Sequence, residues 1–171
     1  MTGYEVRDAV EADAHELAPL MAEADRVECY RASGATPLEA LLAGHGMSYV
    51  SRACVGPSGK VCGMWGVGAS EEHAPWSRGW FLGADELRAK PRTFLAVTVA
   101  DMNWVMDREA RGLYAVVDEQ YGAALRWLDW LGFTPRARGP IGIGGEPFVL
   151  MALEASAWVA SATTTTASSA S

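Results

Sequence analysis

Residues 113–133 read LYAVVDEQYGAALRWLDWLGF, and their pattern decides the fold. The apolar run at 113–117 predicts a short buried strand, and the polar residues at 118–121 predict a turn. Leucines and alanines then recur at helical spacing, which predicts a helix whose buried face includes Leu128. Gly132 stands where a left-handed C-cap ends a helix, and an extended segment begins directly after it. The stretch therefore predicts a strand, a helix and a second strand in succession.

The rest of the chain supplies further predicted elements on both sides of this unit. The pattern predicts a strand near the N-terminus and then one helix that runs from residue 11 towards residue 30. A second helix follows, which starts at a Thr36-Pro37 capping signal. Alternating apolar residues then predict a β-hairpin, and a long helix follows Pro91. The other predicted bounds are 3–10 for the first strand, 47–55 and 60–69 for the hairpin, 79–82 for a third strand, 92–110 for the long helix and 147–153 for a final strand.

Length and composition limit the class of protein. The chain has 171 residues, half of them apolar, which is enough for one domain with a hydrophobic core. Its net charge of −7 argues against a nucleic-acid surface. No apolar run reaches the roughly 18 residues of a membrane span, and no signal peptide is visible. Three cysteines without CxxC spacing predict buried free thiols in a reducing compartment, and three scattered histidines argue against a metal site.

The C-terminal residues differ in composition from everything before them. From Ala155 onward the sequence is mostly alanine, serine and threonine, which predicts a domain at 1–154 and a disordered tail at 155–171. Trp158 is the largest apolar side chain of this tail. Where the tail is ordered, we expect it to lie against a neighbouring subunit with Trp158 as its anchor.

Two blocks of sequence carry a resemblance to a known family. Residues 24–42 read ADRVECYRASGATPLEALL, and residues 78–133 run from RGWFLGADEL through the long helix to ALRWLDWLGF. Together with the predicted order of elements, they resemble the GCN5-related N-acyltransferase (GNAT) fold. More narrowly, they resemble a phage-encoded GNAT-like family that is similar to internal virion protein A of T7-like podoviruses. The resemblance implies an α/β (α+β) fold with a central mixed, twisted sheet flanked by helices.

The GNAT resemblance also implies where acyl-CoA would bind. In that family the pyrophosphate lies at the N-terminus of the long central helix, on a glycine-rich loop. The matching segment, 83–92, has no glycine pair after its first residue, and Pro91 removes a backbone donor, so we expect acetyl-CoA to bind weakly or not at all. The candidate cofactor-binding residues are the end of the preceding strand and the cations of this segment: Leu82, Gly83, Arg88, Lys90 and Arg92.

The same resemblance implies a general acid and a general base. The family position of the acid falls on Leu128, which cannot donate a proton, and Tyr121 is a phenol in the neighbourhood. Candidate bases are Glu28 in the first block and Asp118 or Glu119 after the fifth strand. Each has a structural alternative. Asp118 also fits the N-cap of the helix that follows, and Glu28 also fits a surface pair with a neighbouring arginine.

Tryptophan is abundant in this chain, with seven residues. Trp127 and Trp130 are three residues apart on one predicted helix and therefore share a side of it. Exposed aromatic pairs often mark protein interfaces, so we expect these two, with Trp158, to contact a partner. Covering the core beneath the loops is the alternative role.

The departures from the family pattern fall on catalytic positions, whereas the packing residues are retained. The preferred function is therefore a virion-associated protein located in the virion or the host cytoplasm, with no cofactor. Its partners would be other virion or phage proteins or further copies of this chain. The alternative is an active N-acetyltransferase that uses acetyl-CoA to acylate an amine of a protein or small molecule. An acyl-CoA-binding module without turnover lies between the two.

Overall fold

The computed structural model describes residues 3–108 and 111–158. Its strands form one seven-stranded mixed sheet in the order β1-β2-β3-β4-β5-β7-β6, with helices packed against it. The predicted α/β fold is confirmed. The elements in chain order are β1 (Glu5–Asp8), α1 (Glu11–Leu17), α2 (Glu23–Ser33), α3 (Pro37–Met47), β2 (Ser48–Val55), β3 (Val61–Ala69), β4 (Ser77–Gly83), α4 (Asp85–Arg88), α5 (Pro91–Met106), β5 (Gly112–Asp118), α6 (Gly122–Trp130), β6 (Thr134–Gly139) and β7 (Phe148–Glu154).

The segment 113–133 folds as its pattern predicts, into β5, a turn and α6. Gly132 has a φ of 96°, in the region that favours glycine. The amide of Gly132 donates to the carbonyl of Asp129 at 2.9 Å, and the amide of Phe133 donates to the carbonyl of Leu128 at 3.0 Å. These are the two hydrogen bonds of a Schellman motif, so the glycine ends α6 and turns the chain into β6.

Leu128 lies on the buried face of α6 and is 5% exposed, as predicted. It belongs to the core cluster that also contains Leu113 and Phe133. We expect Leu128→Ala to lower the free energy of unfolding by about 2–5 kcal/mol, because it removes buried apolar atoms and leaves a cavity. Denaturant unfolding measures the loss, and Arg126→Ala on the exposed face of the same helix is the control. A loss for Leu128→Ala no larger than that of the control would contradict the prediction.

The structure corrects two predicted helices. The helix predicted from residue 11 towards residue 30 is two helices, α1 and α2, separated by a 3₁₀ turn at Ala18–Leu20. Pro19 lies in this turn and has no N–H with which to continue the α-helical ladder. The long helix begins at Pro91, one residue before its predicted start, and ends at Met106 rather than near residue 110.

The sheet opens near its centre. β4 and β5 run parallel and pair at Ser77–Leu113 and Arg78–Tyr114. Past these pairs, β4 continues to Gly83 on its other neighbour, β3, whereas β5 pairs along its length with β7. The two strands therefore diverge and leave a gap that is not closed by backbone hydrogen bonds.

Two hydrophobic cores lie around this gap. One packs α1 and α3 against β2, β3 and β4, and it contains all three cysteines, which are buried as predicted. The other packs α5 and α6 against β5 and β7. No helix among the described residues is long and apolar enough to cross a membrane.

The predicted tail begins within the described residues. Residues 155–158 form a helical turn after β7, where the indole N–H of Trp158 donates to Oδ1 of Asn103 on α5 at 2.9 Å. This contact lies within the chain, and the predicted contact of Trp158 with another subunit stays a prediction. The sequence predicts disorder from residue 155; residues 155–158 instead form this turn, and 159–171 lie outside the described residues.

Candidate active site

A cavity of about 550 Å³ lies in the gap between β4 and β5. Its volume is within the range of small-molecule sites. Neighbouring residues of β4 point to opposite faces of the sheet, so that Trp80 packs against Gly44 of α3 whereas Phe81 packs against Phe94 of α5. The lining therefore comes from α2 and α3 on one face and from α5 and α6 on the other, which makes the cavity a passage through the sheet.

Aromatic side chains form the wall on the side of α5 and α6. The ring centroids of Phe81 and Phe94 are 4.7 Å apart, and that of Trp127 lies 4.9 Å from Phe94. The indole N–H of Trp127 is buried and has no hydrogen-bond partner in the described part of the chain. An unpaired buried donor costs about 1–3 kcal/mol, so this N–H is a favourable place for a ligand oxygen.

The predicted exposed pair of tryptophans is not formed. Trp130 is 61% exposed, whereas Trp127 is turned into the cavity between Phe81 and Phe94. Three residues correspond to about 300°, so the two side chains are offset by about 60° around the helix, and here that offset places Trp127 at the edge of the buried face and Trp130 on the surface. A contribution of Trp130 to an interface stays a prediction.

Asp25 of α2 is the centre of a buried hydrogen-bond network beside the cavity. It is 1% exposed, and its Oδ2 accepts from the amide of Gly83 at 2.8 Å. Its Oδ1 accepts from the hydroxyl of Tyr121 at 2.9 Å and from Nη2 of Arg88 at 2.5 Å. The guanidinium of Arg88 also lies 5.2 Å from the centre of the Tyr121 ring. Because Arg88 compensates its charge, Asp25 joins the end of β4, α4 and the start of α6.

Glu28 lies one helical turn after Asp25 and lines the cavity. Its Oε2 accepts a hydrogen bond from the backbone amide of Asp118 at 3.0 Å. Burial is the main cause that raises the pKa of Glu28, and the negative charges of Asp25 and Asp118 add to it. The hydrogen bond from Asp118 and the charge of Arg88 act in the opposite direction, and the pKa rises from 4.5 to about 7. A carboxyl with this pKa is suited to accept and release protons at neutral pH.

The other two candidate bases do not line the cavity. The carboxylate of Asp118 is buried and pairs with Nε of Arg31 at 2.7 Å, and its Oδ1 accepts from the amide of Gln120 at 2.9 Å. Glu119 pairs with Arg138 on β6. The prediction of Asp118 as the N-cap of α6 is wrong, because two turn residues intervene and the N-cap is Tyr121. Of the three candidate bases, Glu28 is the one that lines the cavity.

Tyr121, the phenol predicted near the site, does line the cavity. Burial first, and then the charge of Asp25, raises the pKa of Tyr121, so its hydroxyl is protonated at neutral pH. That hydroxyl donates to Asp25, which gives Tyr121 a role in the network.

The residues predicted to bind CoA fall into two groups. Leu82 is buried, the amide of Gly83 donates to Asp25, and Arg88 pairs with Asp25. The charge of Arg88 is therefore already compensated, and its role as a phosphate ligand stays a prediction. Lys90 and Arg92 are exposed at the beginning of α5, next to Pro91 as its first residue. They are the cations of this segment that face solvent.

Two residues beside the cavity, Asp25 and Trp80, are not among the predicted site residues. Asp25 is three residues before Glu28, and this spacing places both carboxylates on one face of α2, a signal that the sequence already contains. Trp80 carried no such signal, because its position depends on Gly44 and Gly66 from two distant elements.

No family model matches this sequence, and no curated protein matches it either. Solved structures do match. A GNAT superfamily phosphinothricin acetyltransferase from Sinorhizobium meliloti, in complex with acetyl-CoA, is 19% identical, with coverage of 90% of this chain and 89% of that chain and a TM-score of 0.69. Ard1 from Thermoplasma volcanium is 15% identical, covers 89% and 97%, and has a TM-score of 0.69. yncA, a putative acetyltransferase from Salmonella typhimurium with acetyl-CoA, is 16% identical, covers 90% and 94%, and has a TM-score of 0.64.

These similarities show the fold. The chain has the GNAT-like fold that its sequence predicts, and the sheet with divergent central strands is the framework of the site. The matched structures are named as acetyltransferases or as Ard1. None of these three names a phage or a virion protein, so the predicted relation to internal virion proteins gains no support from them.

Proposed function

We propose that the protein is an acyl-CoA-dependent N-acyltransferase that transfers an acetyl group to an amine. The observation that carries the proposal is Glu28, a carboxyl with a pKa of about 7 that lines a cavity in the gap of a GNAT-like sheet. The acetyl-CoA in two of the similar structures supports the same choice of acyl donor. The proposal adopts the enzymatic alternative over the structural virion protein, because a carboxyl with a raised pKa that lines a cavity is typical of an active site.

The residues around the gap fit an acyl-CoA. The aromatic wall suits the acyl-pantetheine arm, and the unpaired N–H of Trp127 suits one of its amide oxygens. Lys90 and Arg92, with the amides at the start of α5, would hold the phosphates. When bound, acyl-CoA supplies an acyl group that is activated as a thioester.

The chain's own residues account for the activation of the amine. An amine attacks only when it is neutral, and Glu28 accepts the proton that must leave it. Asp25 accepts hydrogen bonds from Tyr121 and Arg88 beside the cavity, so the charge of Arg88 is compensated by Asp25. Leu128, at the position where the family has its usual acid, is buried in the core and takes no part in proton transfer.

We expect acetyl-CoA to bind and the double variant Lys90→Ala/Arg92→Ala to weaken its binding by about three- to tenfold. The variant removes two exposed charges that attract the phosphates, and exposed charge pairs are worth at most about 1 kcal/mol each. Calorimetric titration measures Kd, and thiol release with a panel of amines measures turnover.

The matched control is Arg136→Ala/Arg138→Ala, which removes the same charge from β6. We expect it to leave the Kd of acetyl-CoA unchanged at fixed ionic strength. A folded protein that shows neither acetyl-CoA binding nor thiol release would overturn the proposal and return the structural virion protein as the preferred function.

A further inference from the structure

The two sides of the cavity have different chemistry. Lys90 and Arg92 lie at the start of α5, so the acyl-CoA arm has to enter on the side of α5 and α6. The amine therefore has to reach the gap from the opposite side, between α2 and α3. We call this half of the cavity the acceptor compartment, and its lining includes Glu28, Ala32, Ala43, Met47, Trp80 and Ile141.

Trp80 is held as a fixed wall of the acceptor compartment. A Cβ at Gly44 would lie 2.9 Å from the indole ring, and a Cβ at Gly66 would lie 2.7 Å from its Nε1. These glycines leave the space in which the ring packs. The indole N–H donates to Oγ of Ser48 at 2.8 Å, and that hydroxyl donates to the carbonyl of Gly44 at 2.7 Å. The polar atom of Trp80 is thus already paired, and the ring offers a ligand an apolar surface.

The charge of the acceptor compartment is small. Glu28 is its carboxyl, and the neighbouring charge of Asp25 is compensated by Arg88. The rest of its lining is small or apolar, apart from Arg78, whose exposed guanidinium repels a second positive charge. Desolvating an additional unpaired cation costs several kcal/mol, so the compartment suits one amine and no second positive charge.

The rim of the compartment is also apolar. Ile141, in the loop between β6 and β7, and Met47, at the end of α3, both line the cavity while they are 53% and 40% exposed. Exposed apolar side chains at the mouth of a cavity favour a ligand that is itself apolar at that point.

We propose that the acceptor is a small monoamine with one apolar substituent of aromatic size, its amine at Glu28 and its substituent against Trp80. This inference rests on the proposed N-acyltransferase function, which determines the side of the cavity that the amine enters. A polyamine, an acidic amine or a lysine side chain within a peptide lacks this combination of a single charge and an apolar body.

The probe for this inference is 2-phenylethylamine, compared with spermidine, glutamate and a lysine-containing peptide, each with acetyl-CoA and the full chain. We expect kcat/KM for 2-phenylethylamine to exceed that for each of the others by about tenfold or more, because none of the others has an apolar group of aromatic size to pack against Trp80. A higher kcat/KM for any of the three competitors would overturn the inference and leave the proposed function in place.

A variant that fills the compartment gives a second test. Ala43→Leu adds bulk to the lining of α3, and we expect it to lower kcat/KM for 2-phenylethylamine about tenfold and to leave the Kd of acetyl-CoA unchanged. Ala96→Leu adds the same bulk on the exposed side of α5 and is the matched control. Equal kcat/KM values for the two variants would contradict the inference.

Direct binding separates the two proposals. Calorimetry with 2-phenylethylamine alone, on the wild type and on Ala43→Leu, reads the site without any turnover. Binding that Ala43→Leu weakens, without acetyl transfer, would support the apolar amine site and refute the transferase. Transfer to other amines, with no binding of 2-phenylethylamine, would support the transferase and refute the apolar amine site.

Discussion

Glu28→Gln is expected to lower kcat/KM for amine acetylation by about 10²–10⁴-fold, the usual contribution of a positioned general base. The amide of glutamine cannot accept the amine proton, but its oxygen can still accept the hydrogen bond that the amide of Asp118 donates to Glu28. The wild-type pH profile should rise through the pKa of about 7 that burial gives Glu28, and the variant should lose this limb. Steady-state kinetics between pH 5 and 9 measure both effects.

Glu119→Gln is the matched control for this substitution. Glu119 follows β5, pairs with Arg138 and does not line the cavity, so its substitution should leave kcat/KM and the pH profile unchanged. If the two variants had the same activity, Glu28 would not be the base.

The same substitution has a second readout in stability, whose sign follows from the pKa. The pKa of Glu28 is raised in the folded state from 4.5 to about 7, so the folded protein holds this proton more tightly than the unfolded chain does. Its favourable contribution is fully present below pH 4.5 and is lost as the pH rises through 7. Relative to the wild type, Glu28→Gln should therefore gain about 1–3 kcal/mol of unfolding free energy between pH 5 and pH 8. If Glu28→Gln instead lost unfolding free energy relative to the wild type over this pH range, Glu28 would be charged and stabilised in the folded protein.

The parts of this fold that the sequence predicts are those in which the decisive contacts are local. Gly132 ends α6 through hydrogen bonds to residues three to five positions away, and the capping box at Thr36 uses Glu39. Such signals lie within one window of sequence. Leu128 could be assigned to the core because the period of its helix depends on its neighbours alone.

The site depends on contacts between distant positions, which local patterns do not reveal. Asp25 meets Arg88 63 positions later and Tyr121 96 positions later. In the sequence, Arg88 is one of three cations near a helix start. Whether it pairs with a buried carboxylate or faces solvent depends on the position of Asp25 on α2 beside the end of β4 and α4. The expectation of lost catalysis had the same origin. It rests on Leu128 at the position of the family's acid, whereas the choice of Glu28 among the three candidate bases requires its helix to be placed on the gap.

Asp25→Ala should lower the free energy of unfolding by about 3–5 kcal/mol, as expected when one partner of a buried ion pair is removed. The variant leaves the guanidinium of Arg88 without its carboxylate, and the amide of Gly83 and the hydroxyl of Tyr121 lose their acceptor. Asp25→Asn keeps one acceptor oxygen and should cost less. Denaturant unfolding measures each loss, and Asp8→Ala, which breaks the exposed pair of Asp8 with Arg52, is the control at no more than about 1 kcal/mol.

A double variant distinguishes a buried charge from a general packing defect. Asp25→Ala/Arg88→Met removes both charges and keeps an apolar side chain in place of the guanidinium stem, so it should be more stable than Asp25→Ala alone. A double variant less stable than either single variant would mean that packing, not charge, dominates at this position.

The network also acts on Glu28, because the charge of Asp25 raises the pKa of Glu28 and the charge of Arg88 lowers it. Asp25→Asn should therefore move the rising limb of the activity profile to lower pH, and an upward shift would show that Asp25 does not sustain the basicity of Glu28.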